Sequence, residues 1–171
     1  MDISIIGKNN LKLKGKQVVF IVDPSKEMLK TTGDAVILLN GFSNVDTSRV
    51  IDSRITINGA GEYEVAGTKV SGTQTPNGII YKLSIDDISI VLGRVGGKIE
   101  GISDCQIAII NADGEFNESF VTALEPKITV LYGDKKIESA KTLGTESITP
   151  VSKITVTKDK LPEKMEIIVL G

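Results

Sequence analysis

The side chains of this sequence that can do chemistry near neutral pH are carboxylates, amines, hydroxyls and a single thiol, because its 171 residues include no histidine. Imidazole is the commonest zinc ligand and the usual acid–base group at pH 7, so Ser-His-Asp and Cys-His schemes and histidine-built zinc centres are excluded. Nucleophilic catalysis would have to use Ser-Lys, Thr or Lys chemistry. No signature for it is present: Ser25 is followed three residues on by Met28 where a lysine would be needed, and Ser103 has no convincing base. A metal would need clustered carboxylates, an all-oxygen set that suits Mg2+ or Ca2+. The adjacent pair Asp86-Asp87 lies between apolar runs and reads as a hairpin turn. Cys105 rules out an internal disulfide or a four-cysteine cluster, and beside the run Ile107 to Ile110 it reads as a small buried hydrophobe. Gly93-Arg94-Val95-Gly96-Gly97 lacks the Gly-Lys-Ser/Thr ending and following helix of a phosphate loop, and Gly59-Ala60-Gly61 reads as a turn.

These groups must be positioned by sheet. Apolar residues make up 40% of the chain and aromatics 4%, with no Trp, so the core is built from Ile, Val and Leu, which favour strands. Short β-type runs separated by Gly, Asn, Asp and Pro are expected near 2–6, 11–13, 17–22, 35–39, 54–58, 61–65, 68–73, 79–85, 89–92, 107–110, 128–131, 153–157 and 166–170. Helices are expected at Ser25–Lys30, Asp46–Ile51, Asn117–Leu124 and Lys135–Leu143. In the third, Asn117 caps, Phe120, Val121 and Leu124 share a face, and Pro126 stops continuation. It links two apolar runs as a βαβ unit that pairs them in parallel. The first third and the middle read as mainly antiparallel. The segment 145–171 reads as a C-terminal strand pair, a hairpin closing one sheet edge within a single domain over 1–171.

Twenty-two acidic and twenty basic residues give a net charge of −2, which gives no support to nucleic-acid or membrane-surface binding. No segment approaches the roughly 18 apolar residues of a membrane span and no signal-peptide pattern opens the chain, so a cytoplasmic location is expected.

Several strings, in order, resemble the metallo-β-lactamase superfamily, in particular its small bacterial lactonase-like metal-dependent hydrolases. The opening Met1-Asp2-Ile3-Ser4-Ile5-Ile6-Gly7-Lys8, followed by Leu11–Lys16 and by Val18–Pro24, is similar to that family's first hairpin, where Gly-His normally occupies the place of Gly7-Lys8. Gly61-Glu62-Tyr63-Glu64-Val65 and Glu125-Pro126-Lys127-Ile128-Thr129-Val130 are the most specific matches. The resemblance covers roughly residues 1–134 and implies an α+β, layered αββα sandwich with mixed sheets and reduced helices.

The departures carry the chemistry. The family's metal-binding loop falls within Asn40–Thr47, where at most Asp46 survives. Its Leu-Gly-Asp reads Leu92-Gly93-Arg94, a permanent cation in place of a metal-binding carboxylate. The last ligand histidine reads Gly133, and the loop carrying the middle one is contracted into Thr73–Gly78. The resemblance therefore implies a degenerate metal site with no catalytic or metal-binding residues and no cofactor. A remnant pocket is expected around Lys8, Asp23, Asp46, Arg94 and Asp134, with Lys98 as a third cation. Three readings follow: a non-catalytic binding, scaffolding or self-assembling module that is not an enzyme; a hydrolase of a small phosphorylated or lactone substrate with a repurposed pocket; or a small-anion sensor. A homo-oligomer or protein partner joined through the strands at 153–157 or 166–170 goes with the first.

Overall fold

The computed structural model describes residues 1–39, 44–94 and 102–171. Along the chain the strands are β1 (Asp2–Ile5), β2 (Leu11–Lys14), β3 (Val19–Val22), β4 (Thr31–Thr32), β5 (Ala35–Ile37), β6 (Val50–Ile51), β7 (Ile55–Ile57) and β8 (Gly61–Val65). They continue as β9 (Thr68–Thr75), β10 (Gly78–Ile85), β11 (Ile88–Arg94), β12 (Ile107–Asn111), β13 (Ile128–Tyr132), β14 (Lys153–Thr155) and β15 (Glu166–Val169). The helices are α1 (Glu118–Leu124) and α2 (Lys136–Thr142).

Two sheets face each other. One runs β14-β1-β2-β3-β5-β7 and the other β15-β13-β12-β11-β10-β9-β8. Alternation decides which side chains go between them: in β2, Leu11 and Leu13 are buried while Lys14 is exposed. Ile3, Leu13, Phe20 and Val22 of the first sheet thus meet Tyr81, Ile90, Leu92, Ile109 and Val130 of the second in one apolar layer. Strands β12 and β13 are buried at every position, as expected of parallel strands covered on both faces. Their second cover is helical: Phe120, Val121 and Leu124 of α1 and Ala140 of α2 pack on Ala108, Ile110 and Leu131.

Helix α1 has seven residues, too few to persist alone, so burial of that face holds it. Asn117 Oδ1 accepts the Ser119 N–H at 3.0 Å at one end. Glu125, at φ 46°, ends the helix before Pro126. The unit β12-α1-β13 pairs its strands in parallel, Ile107 opposite Ile128, as the sequence predicts. The turn between β10 and β11 places Asp86 and Asp87 at φ 52° and 63°, the backbone of a two-residue hairpin.

Four expectations are corrected. Ser25–Lys30 forms no helix; Ser25 bridges Val45, and Met28 turns inward onto Ile21, Val36 and Val50. Asp46–Ile51 gives only a 3-10 turn at Thr47–Arg49 before β6, which pairs with β4 as a two-stranded ribbon. Among the described residues this ribbon and turn cover the first sheet where an αββα plan has helices. The first third is also less antiparallel than expected, since β3-β5 and β5-β7 are parallel pairs. Finally, no C-terminal hairpin forms: β14 joins β1 in one sheet and β15 joins β13 in the other, so each closes a different edge.

Candidate active site

The turn after β1 and the C-terminal ends of β3, β11, β12 and β13 meet at one rim of the sandwich. Two contacts tie the sheets together there. Asn9 Nδ2 donates to Asp113 Oδ2 at 2.8 Å, and the Lys8 ammonium lies 3.3 Å from Asp134 Oδ1. Below them a cavity of about 230 Å³ is lined by Lys8, Asn9, Asn10, Asp23, Ser25, Glu27, Asn44 and Val45.

Asp23 forms its floor. The residue leaves β3 at φ 46°, a left-handed conformation that aspartate tolerates better than bulky residues. Its N–H still bonds Ile37 O at 2.9 Å, while its Oδ1 accepts the Leu39 N–H at 2.9 Å, so the side chain continues the β3-β5 pairing past the end of the strands. Asn10 Nδ2 donates to Asp23 O, and Asn10 Oδ1 accepts from Ser25 Oγ at 3.0 Å, which fixes the loop around the carboxylate. Any side chain at Gly7 would run into Asn10 Oδ1. Asp23 is only 3% exposed, and Asp23 Oδ2 has no partner among the described residues. Burial disfavours its ionised form and raises the carboxyl to about 7, against the opposing pull of the Leu39 N–H and the Arg94 guanidinium. Such a group exchanges its proton near neutral pH.

Facing Asp23 from the second sheet is a polar row in register. Arg94 pairs with Asn111 across β11-β12, and Asn111 with Tyr132 across β12-β13. All three stand on the inward parity of their strands, continuing Leu92, Ile109 and Val130. Asn111 and Tyr132 are fully buried, with the Asn111 side chain against the Tyr132 hydroxyl. Burial, then Asp23 and Asp113, push the Tyr132 phenol well above its ordinary value, so it stays a donor. Arg94 also lines a neighbouring depression with Asn77, Gly114 and Glu115.

Of the residues expected in the remnant pocket, Lys8 and Asp23 line the cavity. Arg94 stands within electrostatic reach of Asp23. Asp134 flanks the rim, its carboxylate on Lys8 and its N–H donating to Asp113 Oδ1 at 2.6 Å. Asp46 is committed elsewhere: it caps the 3-10 turn, accepting from Ser48 N at 3.1 Å and Ser48 Oγ at 2.6 Å, and pairs with Arg49 at 3.5 Å. Lys98, the loop residues 40–43 and residues 95–97 of the Gly93–Gly97 stretch lie outside the described residues. Asn9, Asn10, Asn111, Asp113 and Tyr132 were missed. The available signal was parity, since Asn111 interrupts the inward series Ile107, Ile109. Cys105 is buried against the helices with its thiol pushed up to about 12 by burial.

Facing sheets with a mixed order, helices packed outside one of them and a polar rim at the strand ends define a metallo-β-lactamase fold. The comparison with solved structures bears this out. The chain matches a protein from Thermotoga maritima assigned as a zinc-dependent hydrolase of the metallo-β-lactamase superfamily, at TM-score 0.79 and 16% identity, over 99% of this chain and 97% of the other. It also matches the metallo-β-lactamase-fold protein YhfI of Bacillus subtilis, at TM-score 0.59 and 8% identity over 98% and 95% of the two chains. A diphosphatase of the PhnP family matches at TM-score 0.55 and 10% identity over 96% and 82%. No family model matches the sequence, and no curated protein is significantly similar to it. These neighbours correct the expectation that the chain is not an enzyme: a zinc-dependent hydrolase and a diphosphatase share its fold, and the reading as a non-catalytic module is given up. No helix among the described residues is long and apolar enough to cross a membrane.

The zinc centre that such a fold implies does not fit the residues present. Among the described residues no three of His, Cys, Asp and Glu come together to hold a metal. Where the resemblance places ligands stand Arg94, a fixed cation, and Gly133, at φ 101°, where a Cβ would lie 2.5 Å from Asp113 Oδ1. The Asp113 carboxylate, held by Asn9 and the Asp134 N–H, fills the space a ligand side chain at 133 would need. The groups facing Asp23 are the Arg94 guanidinium, which repels a cation, and the Asp113 carboxylate, which is already committed to Asn9 and the Asp134 N–H.

Proposed function

We propose that this chain is a hydrolase of a small lactone, working through acid–base chemistry at Asp23 without zinc. One observation carries the reading: a buried carboxyl, pushed up to about 7 by burial and with one oxygen unpartnered among the described residues, lines an open cavity. A phosphorylated substrate is the second arm of the test. The described lining opposes it, because a phosphate dianion would meet Glu27, and Asp23 whenever it is ionised, beside Lys8, whereas an uncharged cyclic ester meets no such repulsion.

In its ionised form Asp23 accepts a proton from water as the water oxygen bonds to the lactone carbonyl carbon. The bond from that carbon to the ring oxygen then breaks, and the proton passes from Asp23 to the departing oxygen, leaving an open hydroxy acid. Lys8 at the cavity mouth offsets charge on the carbonyl oxygen. Its present partner Asp134 is exposed, and such pairs exchange readily.

The test is turnover of γ-butyrolactone and of p-nitrophenyl phosphate by chelator-treated protein and by the Asp23→Asn variant. Lactone turnover that falls by about 100-fold or more in the variant is expected. Absence of lactone turnover, or an equally active variant, overturns the proposal.

A further inference from the structure

A chain of hydrogen bonds runs from the second sheet through the turn after β1 to Asp23. Its anchored end is Asp113. Oδ1 of that carboxylate accepts the Asp134 N–H at 2.6 Å, Oδ2 accepts from Asn9 Nδ2 at 2.8 Å, and the Asp113 N–H donates to Asn111 Oδ1 at 3.2 Å. The turn at 7–10 is closed by the Ile6 N–H on Asn10 O at 2.9 Å, and Lys8, Asn9 and Asn10 all line the cavity. Asn10 then passes the connection on, donating from Nδ2 to Asp23 O and accepting at Oδ1 from Ser25 Oγ. Among the described residues two side-chain contacts tie this turn to the second sheet, Asn9 to Asp113 and Lys8 to Asp134. The lysine pair is exposed at both ends and holds little, whereas a carboxylate acceptor makes the Asn9 bond one of the stronger kind.

We infer that Asp113 is a positioning residue for Asp23: through Asn9 it clasps the 7–10 turn to the second sheet, so that Asn10 holds the Asp23 loop in place and Lys8 stays at the cavity mouth. This rests on the reading of Asp23 as the base of lactone opening. Asp113 takes no part in the bond changes and acts through the turn alone. A base displaced by about 1 Å from its water can lose about 100-fold in rate, so a clasp at this distance is felt at the reacting atoms.

The clasp has a pH signature. The charged or titratable groups around Asp23 are Arg94 from β11, Asp113 after β12, Tyr132 from β13, Tyr81 from β10, and Lys8 and Glu27 in the lining. Burial is the largest influence on the carboxyl and raises it, while the Leu39 N–H and Arg94 pull it down. A turn released from the second sheet lets water reach Asp23, which weakens the first influence and leaves the others standing. The midpoint of Asp23 therefore falls when the clasp opens.

Three variants of the whole chain test it: Asn9→Ala, which cuts the bond; Asn9→Asp, which sets two carboxylates against each other; and Asn9→Asp combined with Asp113→Asn, in which amide and carboxylate trade places and the bond can form again. For γ-butyrolactone, kcat/KM should fall about 10- to 100-fold in each single variant, and the exchanged pair should run about ten-fold faster than Asn9→Asp. In Asn9→Ala the midpoint of the pH–rate profile should lie about one pH unit or more below the parent's value of about 7. A bond that merely stabilises the fold would lower the melting temperature and leave that midpoint in place. Such a result overturns the inference, as does an exchanged pair no faster than Asn9→Asp. Melting from pH 4 to 8 reads the clasp without substrate: the parent's stability should decline up to about pH 7, and in Asn9→Ala the decline should end about one pH unit or more lower. A parent that opens no lactone but shows this shift sinks the proposed reaction and leaves the clasp standing; turnover without the shift does the reverse.

Discussion

Replacing Asp23 by Asn should stabilise the protein at alkaline pH and leave it nearly unchanged in acid. Burial raises this carboxyl from 3.8 to about 7. At about 1.4 kcal/mol per tenfold, its ionisation inside the fold is disfavoured by about 4 kcal/mol relative to the unfolded chain. The group is nearly fully buried, so solvent does little to reduce that figure. The sign follows from proton counts. Between about pH 4 and 7 the folded state holds a proton the unfolded chain has lost, so stability falls as pH rises through that window and is level above it. Asparagine has no charge to lose and keeps an oxygen for the Leu39 N–H, so the variant lacks this slope. At pH 8 it should gain up to about 4 kcal/mol, or about 8–16 °C in melting temperature for a chain of this size. Near pH 4 the two proteins should melt together. Circular-dichroism melts from pH 4 to 8 read the difference directly. A difference that stays constant across that range, or that favours the parent as pH rises, would refute the assignment of a neutral buried carboxyl.

Three further outcomes follow from the same geometry. Gly133→Ala puts a Cβ against Asp113 Oδ1 at a positive φ and should lower stability by about 1–3 kcal/mol in urea unfolding. Phe120→Ala removes the largest buried side chain of α1 and should cost about 3–5 kcal/mol by the same assay, with the melt remaining cooperative. Cys105, buried and with its thiol pushed up to about 12, should resist a disulfide reagent in native buffer and react at once in denaturant.

The strands were legible because Ile and Val runs broken by Gly, Asn and Asp carry their own punctuation. Strands β4 and β6 were not, since two residues have no period to read. Whether β14 and β15 form a hairpin or close separate sheets depends on which edges stand open, and that is set by the rest of the fold. Asp46 passed for a site residue because an aspartate in a loop reads alike as a ligand and as a cap; only the Ser48 hydroxyl tells them apart. Asp23 was legible through its position at the end of the first hairpin. Its character was not, because the raised carboxyl comes from burial by residues far away in sequence. Asn111 and Tyr132 were hidden by chemistry: amides and phenols belong to no metal-ligand pattern, and only their inward register beside Arg94 brings them to the rim.

The most direct test of a zinc-free hydrolase with Asp23 as its base is the pH–rate profile of γ-butyrolactone hydrolysis with chelator present throughout. The account predicts kcat/KM rising about ten-fold per pH unit below about pH 7, level above it, and lost in Asp23→Asn. A rate that chelator abolishes and zinc restores, or a profile flat through pH 7, would contradict it.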